Sequence, residues 1–116
     1  MPEMIDFANQ ADLLIHEVML AEGIDLIMSR LEHKDYKLKN HLLRSHTLAE
    51  NAGFIAERAK VKCLVLNHFV PDGFPEFNDE DWLQAVRKHW SGKVVLGKDG
   101  IRIPIYYSVE FIEKTF

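Results

Sequence analysis

A chain of 116 residues has room for one hydrophobic core and not comfortably for two, so it is read as a single domain. A hydrophobic share of 47% and a charged share of 28% are those of a soluble globular protein and exclude a disordered one. Lys and Arg number 14 against 18 Asp and Glu, a formal net charge of -4, so no broad basic field favours nucleic acid.

The amino-terminal MPEMIDFANQ lacks the basic-then-apolar pattern of a leader. No apolar run approaches the ~20 residues of a membrane span. ADLLIHE, residues 11–17, predicts a first strand of three successive aliphatics ending at His16 and Glu17. Ile24, Ile27, Met28 and Leu31 follow at helical spacing and predict an amphipathic helix. Residues 34–45 have weak periodicity and read as a connection; their basic stretch KDYKLKNHLLR reads as a solvated loop. Thr47, with Glu50 three residues on, has the pattern of a capping box. Leu48, Ala52, Ile55 and Ala59 then carry one apolar stripe through a helix to Lys60.

KCLVLN, ending at residue 67, predicts a second strand with His68 at its tip. Cys63, the single cysteine, lies inside that strand; without a partner it excludes an intrachain disulfide and suits a reducing, cytoplasmic compartment. PDGFPEF is turn chemistry. Asn78 can cap a third helix opened by Asp79, Glu80 and Asp81, with Trp82 or Leu83, Val86 and Trp90 on its buried side. KVVLGKDGIRIPIYY predicts a hairpin, with Pro104 placing its second strand on an edge. The expected order is β-α-α-β-α-β-β: an α/β layer with one mixed sheet and helices on one face.

Six histidines are present, and no two stand at the i, i+2 or i, i+4 spacing of a local metal motif. His16 and His68 end strands and His46 precedes a helix start, the places where open α/β sheets build ligand sites. Each also has a plain reading: His16 bonded to backbone, His46 a loop residue, His68 alone too few ligands for a metal. His33, His41 and His89 lie in polar contexts and are given no role.

Taken in order, ADLLIHE, SHTLAENAGFIAERAKVKCLVLNHFVP and DEDWLQAVRKHWSGKVVLGKDG resemble the C-terminal half of metallo-β-lactamase-fold hydrolases, closest to the arylsulfatase-like and ribonuclease Z-like branch. The resemblance runs from residue 1 to about 105 and leaves a tail, 106–116, outside. It implies half of an α-β-β-α sandwich. It also implies that His68 is the last zinc ligand of a dinuclear site, and that His46 donates a proton or binds the scissile group. Glu17 would orient His46, Thr47 would keep a hydroxyl for substrate, Leu48 replaces a usual small residue, and Asn67 stands where Thr or Ser is common.

The family's His-x-His-x-Asp-His cluster, its later His and its bridging Asp belong to segments that would precede residue 1. With one expected ligand, a dinuclear zinc site is not expected from this chain alone. Two expectations follow. The first is the C-terminal part of a zinc-dependent hydrolase of phosphate, sulfate or carboxyl esters, inactive until an N-terminal half is supplied. The second is a non-catalytic remnant acting as a binding or assembly module. A lone half is expected to form a homodimer that covers the sheet face the missing half would cover, because the strands DLLIH, CLVLN and VVL are apolar at successive positions.

Overall fold

In the computed structural model, residues 2–31 and 36–105 are described; His33 and the tail 106–116 lie outside them. The chain runs α1 (Pro2–Phe7), β1 (Leu14–Met19), α2 (Ala21–Ser29), α3 (Tyr36–Ser45), α4 (Ala49–Ala59), β2 (Cys63–Val70), α5 (Asp79–Arg87) and β3 (Lys93–Leu96). β2 is central in a three-stranded sheet of order β1-β2-β3, and both of its pairings are parallel. A parallel neighbour needs a crossover, and the helices supply it: α2, α3 and α4 lie between β1 and β2, and α5 between β2 and β3.

The sheet divides the molecule. Leu14 and Val18 of β1 and Leu64 and Leu66 of β2 join Ala52, Ile55 and Ala56 of α4 and Trp82 and Val86 of α5 in one buried cluster. Ala8, just after α1, closes that cluster. On the opposite face β1 presents Ile15, which is 57% exposed, beside Val65 of β2, which is 3% exposed. Cys63 through Leu66 are buried without interruption, as the sequence suggests for a strand covered on both sides. Ile15 breaks that pattern.

Several expectations need correction. α3 is a helix where the sequence suggested a connection. Leu38 and Leu42 at i, i+4 are half-buried, Lys39 reaches Asp25 of α2 at 3.3 Å, and residues 36–45 hold no Gly or Pro. The two opening strands are longer than read, because Val18–Met19 and Phe69–Val70 continue each ladder beyond its polar pair. The hairpin does not close. β3 pairs with β2, Gly97 N–H donates to Leu66 O at 2.7 Å, and the chain turns at Lys98–Ile101 without folding back on β3. The described residues 101–105 carry no strand, and Pro104 has no N–H to offer one. The order is therefore α-β-α-α-α-β-α-β, and the described sheet is parallel, not mixed.

α4 also starts differently. Its N-cap is Leu48, with no side-chain cap, so the Thr47–Glu50 capping box is not formed. α5 follows expectation: the Asn78 side chain accepts from Asp81 N–H at 3.2 Å, and Asp81 Oδ2 accepts from Asn78 N–H at 2.8 Å.

Candidate functional site

The carboxyl ends of β1 and β2 carry a local irregularity that sets the site. The register runs Glu17↔Asn67 and then Val18↔Phe69, so His68 is an extra residue bulged out of a parallel ladder. Its φ is 46°, the left-handed region, which a non-glycine residue adopts at a cost. Because the bulge absorbs one residue, Leu66 and Phe69 both serve the core face, while His68 stands out at the rim.

The second half of the site arrives from the start of α4. Met19 N–H donates to Thr47 O at 2.9 Å, and an isolated bridge joins Met19 to Leu48, so residues 46–48 lie alongside the end of β1. Glu17 meets them. One carboxylate oxygen accepts from Thr47 N–H at 2.6 Å; the other accepts from His46 Nδ1 at 3.1 Å. A carboxylate offers no proton, so Nδ1 carries the hydrogen and Nε2 of a neutral His46 is left as an acceptor. The His46 ring stacks on His68, with centroids 5.7 Å apart and planes inclined by 22°.

Glu17, His46 and His68 thus come together from positions up to 51 residues apart. Thr47 joins them through its main chain. His16 does not take part: its Nδ1–H donates to Glu17 O at 2.8 Å, the plain backbone-bonded reading.

Sequence reasoning missed a neighbouring feature. An open cleft of about 840 Å³ runs from His68 and Asn67 between the β2–α5 loop and the segment after β3. Phe74 and Phe77 line it, and they are two of the three phenylalanines near PDGFPEF, a stretch read only as a turn. The signal was the aromatic spacing around Pro75.

No protein-family model matches the chain, and no curated protein matches it. Among solved structures it is similar to the metallo-beta-lactamase fold protein YhfI from Bacillus subtilis, with 25% identity and a TM-score of 0.57 over 87% of this chain. The match covers 34% of that structure, so this chain spans about a third of its relative's length. The described residues therefore adopt part of a metallo-β-lactamase fold.

Proteins of that fold generally use zinc, and the residues here can be tested against it. Among the described residues no three His, Cys, Asp or Glu side chains are grouped to hold a metal ion. Glu17 is engaged by His46 and Thr47, so the rim offers His46 Nε2 and the His68 imidazole, fewer than the three or four protein ligands that zinc needs. These residues alone do not make a zinc site.

Proposed function

We propose that the chain is the C-terminal portion of a metal-dependent hydrolase acting on a phosphate, sulfate or carboxyl ester, in the arylsulfatase-like or ribonuclease Z-like branch of its fold. The observation that carries this reading is the Glu17–His46–His68 constellation at one sheet rim, with the 3.1 Å bond and the 5.7 Å ring stack. In this reading His68 contributes one ligand to a metal site completed by residues outside this chain. Glu17 fixes the His46 tautomer, and a protonated His46 donates from Nε2 to the leaving-group oxygen. Thr47 N–H holds the second Glu17 oxygen, so the carboxylate cannot swing away without losing both bonds.

The test is expression of these residues in the longest reading frame that contains them, followed by assays on 4-nitrophenyl phosphate, sulfate and acetate with zinc. His68→Ala is expected to lower bound metal and rate together. His46→Ala is expected to leave metal content intact and lower the rate by roughly a hundredfold, as loss of a general acid does. An active protein indifferent to both substitutions would sink the reading.

One observation favours a second reading, a non-catalytic module that pairs with its own copy: Ile15 of β1, an aliphatic strand residue, is 57% exposed. Sedimentation at micromolar concentration decides it. A dimer that Ile15→Glu dissolves would support this reading, and a monomer would end it.

A further inference from the structure

We infer that the cleft beside His68 binds a small organic cation carried on an apolar or aromatic body. Its volume, about 840 Å³, falls in the ~300–1,000 Å³ range of small-molecule sites. One wall is aromatic: Phe74 and Phe77 come from the β2–α5 loop, and Trp82 stands behind them. That wall is built in advance. Arg30 of the α2 C-terminus pairs with Glu76 and lies 5.2 Å from the Phe74 ring centroid, and the Asn78–Asp81 capping box fixes the loop's other end. Trp82 is held edge-on by Phe69, centroids 4.9 Å apart. Arg30 does not line the cleft, so its charge approaches Phe74 from outside.

The charged groups lining the cleft settle the sign of the ligand. Asp72, Asp79 and Asp99 line it against a single Lys98, and none of the three carboxylates has an ion-pair partner among the described residues. Asp79 is partly offset by the N-terminus of its own helix, α5; Asp72 and Asp99 are not on a helix. An anion entering here meets net repulsion, whereas a cation gains from the carboxylates and from the ring faces together. The three carboxylates do not converge as a metal-ligand set, and an inorganic ion would gain nothing from the phenylalanines. An organic ammonium group satisfies both kinds of surface. This binding needs neither metal nor hydrolysis.

The test uses the whole chain and three probes of one size: benzyltrimethylammonium, benzyl alcohol and benzoate. Binding is followed by amide shifts in two-dimensional NMR. Benzyltrimethylammonium is expected to shift Gly73, Phe74, Gly97 and Asp99 saturably, and to bind about tenfold tighter than benzoate. In Asp72→Asn/Asp99→Asn that ratio should fall to about twofold, while Phe77→Ala should weaken all three probes alike. Equal affinity for the cation and the anion, or shifts scattered away from the cleft, would overturn the inference. So would a dimer formed over this face, seen as cleft amides that shift on dilution and do not respond to any probe.

Discussion

His68 holds a left-handed backbone, φ 46°, that its Cβ disfavours, and its side chain is solvent-exposed, so burial does not explain its presence. Strained non-glycine positions cost on the order of 1 kcal/mol and concentrate where a side chain must be aimed. Replacing His68 by Gly is therefore expected to raise the unfolding free energy by about 0.5–1 kcal/mol, and His68→Val to lower it by more than about 1. Urea titration of the two variants reads both signs; a glycine that destabilises would mean the imidazole holds the bulge in place. Cys63 shows a second residue-level effect. Burial raises its thiol above the ordinary value, and Lys93 only partly opposes this. A thiol raised in the folded state contributes stability that is complete below the unfolded thiol's pKa and lost as pH rises through the folded one. The urea midpoint should accordingly fall from about pH 8.5 upward, and Cys63→Ala should flatten that fall. At this scale the sequence showed which side chains were chemically able but not which would meet. Glu17 and His46 lie 29 residues apart, and no local spacing pairs them. Only the resemblance suggested the pair, and the left-handed bulge that presents His68 had no signal at all, because histidine is not the residue such a backbone favours.

At the scale of elements, two helix starts looked alike in sequence and differ in structure. Asn78 truly caps α5, with both arms of its capping box formed; Thr47 lies one residue too early for α4, and Glu17 takes up its N–H instead. Asn78→Ala is expected to cost about 1 kcal/mol, and Thr47→Ala to cost less than about 0.5, since the Glu17 bond uses Thr47 backbone. Thermal unfolding of the pair distinguishes them; equal losses would contradict the cap assignment. A glycine decides how closely α4 and α5 approach. A Cβ at Gly53 would stand 2.5 Å from Val86 O and 3.3 Å from Trp90 Cβ, both fixed neighbours. Gly53→Ala should destabilise by about 2 kcal/mol, although alanine is the better helix former by nearly 1. Strongly periodic elements were legible: the α4 and α5 stripes and the buried β2 run depend on local pattern. The failures share a cause. α3 has only a two-residue apolar stripe, and its packing on α2 is a tertiary fact; the supposed hairpin carried turn residues at Gly97–Gly100, but β3 had already found its partner in β2.

The described residues form a parallel three-stranded sheet with its main core on one face and an open cleft beside His68 at the carboxyl-end rim, and the chain spans about a third of the metallo-β-lactamase-fold structure it resembles. Metal binding is where that partial span has a measurable consequence. A zinc ion needs three or four protein ligands at once, and chelation loses most of its strength when ligands are removed, because each vacant position goes back to water. Here the rim offers His68 and the Nε2 of His46, two nitrogens at most, while the Glu17 carboxylate already accepts two bonds. Recruiting Glu17 to a metal would break the Thr47 and His46 bonds that tie α4's start to β1. The isolated chain is thus expected to retain well under two zinc equivalents after dialysis, and a tenfold excess of zinc should shift its melting temperature by less than about 2 °C, since stabilisation follows RT ln(1 + [L]/Kd) and weak sites contribute little. Metal analysis and a thermal scan check this directly. Two tightly retained equivalents, lost in His68→Ala, would show instead that these residues assemble a complete site in solution, for instance by sharing His68 across two copies.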